Sequence, residues 1–423
     1  MSAESDALER RDPAERETRL MAALPGLVAT AQANTGAMAE ILNGVDATSI
    51  ASRRALAQLP VTRKSDLLSR QQATRGQAHG DPFGGFSAIG WRALGSRRAA
   101  RRVFQSPGTL YEPEGEAPDY WRSARALRAA GIEAGDLVHV SFSYHLTPAG
   151  SMMESGAHAL GCTVFPGGIG NTELQLQAIR ELRPQAYAGT PSFLKLLLDK
   201  AAEAGERLSF SKALVSGEAF TPSLRDAVQA QGIEAYQCYA TADLGLIAYE
   251  TPAREGLVLD EGVILEIVRP GTGEPVPDGE VGEVVVTTLN PDYPLIRFGT
   301  GDLSAVLPGA CPTGRSNTRI RGWLGRADQT TKVRGMFVHP GQVAQILQRH
   351  PELLRARLVL SGTIAAERMS LRVETAAGAD AALAARVVES IRGITKLRAE
   401  VELMAAGSLP NDGKVIEDAR SYE

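Results

Sequence analysis

The sequence predicts an α/β fold: a large N-terminal domain built on mainly parallel sheets with a small β subdomain, followed by a smaller C-terminal α+β domain. Three changes of texture along the 423 residues point to it. From about residue 118 to 240, short apolar runs recur at roughly 25-residue spacing with helix-period segments between them, the pattern of right-handed βαβ crossovers. After residue 250 the runs are joined by Gly/Pro turns instead. Beyond residue 330 strands and helices alternate over about 95 residues, enough for a compact domain.

Taken in order, the first 100 residues are Ala- and Arg-rich and mostly helical in pattern, with DPFGGF (81 to 86) as a turn. The strands predicted for the α/β core are LVHVSF (137 to 142), CTVFP (162 to 166), QAYAG (185 to 189), KALVS (212 to 216) and IEAYQCY (233 to 239). Between them, TELQLQAIRELRP places Leu174, Ile179 and Leu182 on one helical face, and TPSLRDAVQAQG has a Thr-Pro start and a Gly stop. VILEIV, the turn PGTGEPVPDGE and VGEVVVTTL read as antiparallel strands. The last texture gives a strand (KVRGMFV), a helix (GQVAQILQRH), two strands (LRARLVLSG, MSLRVET), a helix (DAALAARVVESIRG) and a strand (LRAEVELM). These runs divide the chain into an N-terminal domain, 1–326, and a C-terminal domain, 327–423. Within the first lie a helical start (1–100), an α/β core (about 101–250) and a β subdomain (about 251–326). There is no internal repeat and no low-complexity tract.

Composition excludes several classes. With 45 basic and 49 acidic residues the net charge is -4, so no whole-chain field draws the protein to nucleic acid. Cys162, Cys238 and Cys311 are odd in number and form no CxxC pair, which argues against a disulfide framework and a zinc site and fits a reducing cytosol. The charged amino terminus lacks the apolar stretch of a signal peptide. The least polar long stretch, Leu146 to Pro166, is interrupted by Glu154, His158, Pro and Gly and does not read as a membrane span. A soluble, cytoplasmic protein is expected. Only seven of the basic residues are Lys, so a Lys in a special context stands out.

Three segments suggest chemistry on their own. Asp302, after the run PLIRF, can accept both hydroxyl hydrogens of a ribose, or can act as a local backbone acceptor in a tight turn. Tyr239 and Asp243 in CYATADLG stand at a strand end, where ligands of parallel sheets gather; the bland reading is a buried Tyr and a helix-capping Asp. Lys414 in NDGK can project an ammonium into a cleft, where it is worth about 4 kcal/mol at about 4 Å and a dielectric of about 20, or can simply be solvated.

From about Leu59 to Lys414, an ordered set of segments resembles the signatures of the adenylate-forming enzymes, specifically the phenylacetate-CoA ligase branch. HVSFSYHLTPAG (139 to 150) is similar to that branch's acyl-pocket loop, SGEAF (216 to 220) to its adenine loop and CYATADLG (238 to 245) to its Tyr-to-Glu segment. PLIRFGTGDL resembles the ribose-binding segment, GRADQTTKVRGMFVHP the hinge, and LPNDGK the segment ending in the catalytic lysine. The resemblance implies an ATP-dependent ligase that activates a carboxylic acid, expected to be aromatic, as an acyl adenylate and transfers it to coenzyme A with Mg²⁺ as cofactor. It implies Lys414 and Asp243 as catalytic residues, Asp243 directing the metal. ATP would be bound by Ser106, Gly108, Thr109, Gly217, Glu218, Tyr239, Asp302 and Arg326. Phe142, Tyr144, His145 and Ala240 would form the acyl pocket, Asp328 the pivot of a mobile C-terminal lid, and Arg334 and Gly335 the coenzyme A side. The partners implied are the acid, ATP and coenzyme A, without nucleic acid or membrane, and with a homodimer left open. An acceptor other than coenzyme A, or a non-catalytic acyl-CoA or nucleotide binder, also stays open.

The departure is the phosphate loop. The family pattern is close to Ser-Ser-Gly-Thr-Thr-Gly-Lys-Pro, with backbone N–H groups and a Lys around the phosphates. SPGTLYEP keeps Ser106, Gly108, Thr109 and Pro113, but Leu110, Tyr111 and Glu112 stand where the family has Thr, Gly and Lys. Residues 110 to 121 contain four acids, Glu112, Glu114, Glu116 and Asp119, and no base. A triphosphate there is expected to be repelled unless Mg²⁺ or Arg326 compensates.

Overall fold

The computed structural model describes residues 7–77, 80–95, 98–269, 272–324, 326–327, 331–333, 336–338, 340–363, 367–375, 381–410 and 415–420. The chain divides into two compact units, Met1–Leu324 and Gly325–Glu423.

In the first unit the strands are β1 (Thr62–Arg63), β2 (Arg102–Ser106), β3 (Leu110–Glu114), β4 (Leu137–Val140), β5 (Thr163–Pro166), β6 (Ala186–Gly189), β7 (Lys212–Val215) and β8 (Glu234–Thr241). They continue with β9 (Gly245–Glu250), β10 (Leu257–Leu259), β11 (Val263–Val268), β12 (Gly282–Thr288), β13 (Phe298–Ser304), β14 (Val306–Leu307) and β15 (Arg319–Ile320). The main sheet has nine strands in the order β14-β15-β10-β9-β8-β7-β6-β4-β5. Its half from β5 to β8 is parallel, joined by the helices Ala149–Leu160, Thr172–Leu182, Pro191–Glu203 and Pro222–Gln229. At β8 the chain reverses into β9, and the sheet becomes antiparallel. A second sheet, β1-β13-β12-β11, contains the expected antiparallel pair, with Leu265 opposite Val286.

Local chemistry fixes the helix ends. Thr190 accepts from Phe193 N at 3.3 Å with Pro191 in the first turn, and Thr221 repeats the device on Leu224 N at 3.3 Å with Pro222. The helix Ala149–Leu160 stops at Gly161, whose φ of 84° suits a residue without Cβ. The helix Thr172–Leu182 departs from the expected face. It buries Gln175, Leu176 and Ile179, whereas Leu174 is 65% and Leu182 49% exposed. The reason is polar: the Gln175 amide is drawn inward, where Nε2 donates to the carbonyls of Gly168 (3.0 Å) and Gly170 (2.7 Å) and Oε1 accepts from Ser141 Oγ (3.1 Å).

The N-terminal helix Pro13–Asn34 is capped by Asp12 and packs Leu24, Leu27, Val28 and Ala31 into the core that includes Ile264 and Val284 of the second sheet. That core also holds a cation. Arg297 is 2% exposed; it forms a bidentate pair with Glu266 (2.9 and 3.0 Å) and donates to the carbonyls of Ala57 (2.9 Å), Leu59 (2.5 Å) and Gly273 (2.7 Å).

The second unit carries β16 (Thr331–Val333), β17 (Met336–Val338), β18 (Leu353–Ser361), β19 (Arg368–Thr375), β20 (Glu400–Ala405) and β21 (Ile416–Asp418). The sheet β20-β19-β18-β21 is packed by the helices Pro340–Arg349 and Ala381–Thr395. KVRGMFV is not the single strand expected but the antiparallel pair β16 and β17, with Thr331 opposite Val338. Val333 and Val338 are both buried; five positions apart in one extended strand they would face opposite sides. The three cysteines are buried and unpaired. Among the described residues no helix is long and apolar enough to cross a membrane.

Candidate active site

The segment expected to hold phosphate is the hairpin of β2 and β3, with Ser106 opposite Leu110 and positive φ at Gly108 (99°) and Thr109 (62°) in the turn. Ser106 Oγ donates to Glu112 Oε1 at 2.5 Å. Lys64 Nζ donates to Ser106 Oγ at 3.1 Å and to Asp243 Oδ2 at 3.4 Å. Lys64 opens the helix Lys64–Thr74, whose start is set by Arg63 N donating to Asp66 Oδ2 at 2.8 Å. Gln71, on the same helix, clamps the backbone of Tyr111 through both amide atoms, at 2.9 and 2.8 Å, so helix and hairpin are tied together.

The acids of this stretch do not form the repelling surface expected from sequence. Glu112 is 0% exposed, and its carboxyl is pushed up to about 8, first by burial and then by the charge of Asp243, against the pull of Lys64 and Ser106. Glu114 is buried and raised by burial, with Arg102 as its ion-pair partner at 3.4 Å. Asp119 is pushed up to about 7 by burial, while its Oδ2 accepts from Ala124 N at 3.1 Å. Of the four, Glu116 is the exposed one.

Asp243 is 7% exposed, in the turn between β8 and β9, and its Oδ1 is buried without a partner. An ionised oxygen left so is costly in the absence of a cation or water, and the hard-oxygen chemistry fits Mg²⁺. Among the described residues no group of three or more His, Cys, Asp or Glu converges to hold a metal by itself. A Mg²⁺ here would draw its remaining ligands from phosphate and water.

A second cluster gathers around Asp302 on β13, which is 8% exposed. Its Oδ2 accepts from Tyr239 Oη at 2.7 Å and its Oδ1 from Trp323 Nε1 at 3.1 Å. The carboxylate is thus oriented by two side chains, one on each oxygen. The SGEAF loop follows β7: Ser216 Oγ donates to Cys238 O at 2.7 Å, Gly217 has φ 85°, and Glu218 Oε1 accepts from Ser192 N at 2.7 Å, in the first turn of the helix Pro191–Glu203.

An apolar cavity of about 150 Å³ lies beside the hairpin, lined by Ser106, Pro107, Phe142, Pro148, Met152, Met153, Gly217 and Ala240 to Ala242. Phe142 and Ala240 belong to it. Tyr144 and His145 do not line it: the Tyr144 ring covers Gly150, where an added Cβ would come within 2.8 Å, and His145 is exposed in a turn closed on Ser143. Their loop is fastened to the hairpin by Gln105 N donating to Leu146 O at 2.8 Å. Behind it, His139 stacks on Phe165 and bonds Gln175 Oε1 at 2.7 Å; because the Gln175 NH₂ donates elsewhere, this network assigns the proton to His139 Nε2.

The structure therefore brings Ser106, Asp243, Phe142, Gly217 and Ala240 to one cavity and its rim, and Tyr239 to Asp302. Arg326 falls in the second unit. Lys414, Asp328, Arg334 and Gly335 lie outside the described residues. Sequence reasoning missed Lys64, Gln71 and Trp323. Lys64 carried a signal in being one of only seven lysines and the first residue of the helix-start pattern KSD, and Trp323 in being one of three tryptophans.

Residues 144–290 match the family model described as AMP-binding enzyme. The phenylacetate-coenzyme A ligase of Aromatoleum evansii is 33% identical over 326 residues, which are 73% of this chain and 70% of that protein. That of Pseudomonas putida is 30% identical over 386 residues, covering 85% of this chain and 83% of its own. Among solved structures, 2-hydroxyisobutyryl-CoA ligase in complex with 2-HIB-AMP and CoA in the thioesterification state matches with a TM-score of 0.77 at 25% identity, over 100% of this chain and 94% of that one.

Proposed function

Because the chain belongs to the phenylacetate-coenzyme A ligase family of AMP-binding enzymes, we propose that it joins a carboxylic acid to ATP as an acyl adenylate and passes the acyl group to coenzyme A. One observation carries the reading: the apolar cavity shares Ser106 with the phosphate hairpin and Ala240 to Ala242 with the turn bearing Asp243. An acyl group filling it would present its carboxylate where nucleotide phosphate and Asp243 meet. The carboxylate oxygen then attacks the α-phosphorus and pyrophosphate leaves; in the second step the thiol sulfur attacks the acyl carbonyl, loses its proton, and AMP leaves.

Asp302 takes the ribose hydroxyls and Tyr239 the adenine, with Gly217 and Glu218 at the base's edge. Ser106, Gly108 and Thr109 form the phosphate turn. Asp243 would hold Mg²⁺, which supplies neutralisation of phosphate charge. Arg326 is assigned to the phosphates, Lys414 to the charge that develops during adenylation, Asp328 to the change between half-reactions, and Arg334 and Gly335 to coenzyme A, on the strength of the matching motifs. An apolar cavity of about 150 Å³ is the size that accommodates one benzene ring, which supports an aromatic acid as the substrate.

The test is a panel of aryl and aliphatic acids scored for pyrophosphate release and for coenzyme A-dependent thioester formation. Arylacetic or benzoic acids are expected to give both products. Pyrophosphate release with no thioester would remove coenzyme A as acceptor, and no release with any acid would remove the ligase reading.

A further inference from the structure

The hairpin that should hold the outgoing phosphates has no base of its own, since Glu112 stands where a lysine would, and Glu112 itself is fully buried beneath the turn. Its Ser106 hydroxyl is also committed, because the proton of Ser106 Oγ points to Glu112 Oε1 at 2.5 Å and cannot be given to phosphate as well. The cation of the site comes instead from the helix Lys64–Thr74. Lys64 Nζ touches Ser106 Oγ at 3.1 Å and Asp243 Oδ2 at 3.4 Å, while 44% of its side chain remains open to solvent. An ammonium has three N–H donors, and these two contacts use two of them.

We infer that Lys64 is the phosphate-binding lysine of this chain, its third N–H directed to the β- and γ-phosphates of ATP, so that the charge lost at position 112 returns from a helix 42 residues upstream of Ser106. The inference rests on the ligase reading above. The α-phosphate must sit at the cavity mouth, where the acyl carboxylate emerges. The turn 107 to 109 is then left to the phosphates that depart as pyrophosphate, and Lys64 is the cation at that turn's base. Ser106 and Asp243 position it: the hydroxyl accepts one proton and the carboxylate a second, which fixes the ammonium on a long, otherwise flexible stem. Glu112 has its own part, holding the Ser106 hydroxyl so that its lone pair faces Lys64.

The experiment is calorimetric titration of the full chain with ATP and with AMP, for the wild type, Lys64→Met and Lys64→Arg. Loss of one charge-assisted contact to phosphate is expected to weaken ATP about 10- to 100-fold in Lys64→Met. AMP affinity should not move, because AMP lacks the two phosphates concerned, and Lys64→Arg should recover most of the ATP affinity. A merely structural lysine would change both nucleotides alike. Equal weakening of ATP and AMP, or ATP affinity within about twofold of wild type, overturns the assignment. If the wild type binds ATP and AMP but Lys64→Met behaves like it, the ligase reading survives and Lys64 does not. A wild type that binds neither nucleotide overturns both.

Discussion

Glu112 has no solvent-exposed surface, and burial followed by the neighbouring Asp243 charge lifts its carboxyl from 4.5 to about 8. The folded chain therefore keeps a proton there, between pH 4.5 and about 8, that the unfolded chain releases. Protons bound in the folded state exceed those in the unfolded state across that window, so this group's contribution is fully present below pH 4.5 and is lost as pH rises through about 8. In metal-free buffer, Glu112→Gln should flatten that decline, by at most about 1.4 kcal/mol per pH unit, because Gln is neutral throughout and still accepts from Ser106. Glu112→Lys would bury a second ammonium beside Lys64 and is expected to cost about 3 to 5 kcal/mol in urea unfolding at pH 7. A Lys variant as stable as wild type would contradict the buried, neutral state. The same residue shows why the site was only half legible. Asp302, Asp243, Tyr239 and Ser106 announce themselves through local motifs, whereas side-chain burial and the contacts of Lys64, which is 179 residues from Asp243, are tertiary facts with no local period.

At the scale of elements, Arg297 couples a strand to two turns. Its five N–H donors are all used, two on Glu266 and three on the carbonyls of Ala57, Leu59 and Gly273. It lies immediately before β13, so the same pin that closes the core sets the start of the strand that carries Asp302. Arg297→Met would strand a buried carboxylate and three carbonyls, and is expected to cost about 3 to 5 kcal/mol by urea unfolding; Lys, with three donors and no planar fork, should recover little. Adding Glu266→Leu to Arg297→Met should return part of the loss, since no unpaired charge then remains buried. If the double variant is no more stable than the single, the pair is not the origin of the loss. The parallel strands were legible because each is a short apolar run separated from the next by a helix, two of these helices opening on a Thr cap, Thr190 and Thr221. The buried face of the helix Thr172–Leu182 was not, because an amide network chose Gln175 over two leucines. The hairpin of β16 and β17 was not either, since alternation is ambiguous in a run this short.

For the whole molecule, the apolar cores divide as the two units do. The apolar clusters of the first unit draw on residues no later than Ile320, and the cluster of the second begins at Val333 and ends at Ile416. A chain ending at Leu324 therefore loses no member of the first unit's core and is expected to unfold as one cooperative transition. It keeps Asp302, Tyr239, Trp323, the cavity and the Lys64 cluster, and it lacks Lys414, Asp328, Arg334 and Gly335. AMP should bind it within a few-fold of the full chain, read by quenching of Trp323 fluorescence, whose indole N–H is engaged with Asp302. Pyrophosphate release should nevertheless fall by at least about 10²- to 10³-fold, the usual cost of removing one preorganised group that stabilises developing charge. In the full chain, Lys414→Ala should reproduce that loss alone while still converting a supplied acyl adenylate to thioester. Asp328→Pro should do the opposite, sparing pyrophosphate release and slowing thioester formation, because a fixed φ obstructs the change between half-reactions and leaves the first intact. A folded fragment that fails to bind AMP would show that the nucleoside site needs residues beyond Leu324. A fragment that releases pyrophosphate at the full rate would remove Lys414 from the chemistry, and equal loss of both half-reactions in both point variants would remove the separation of roles between Lys414 and Asp328.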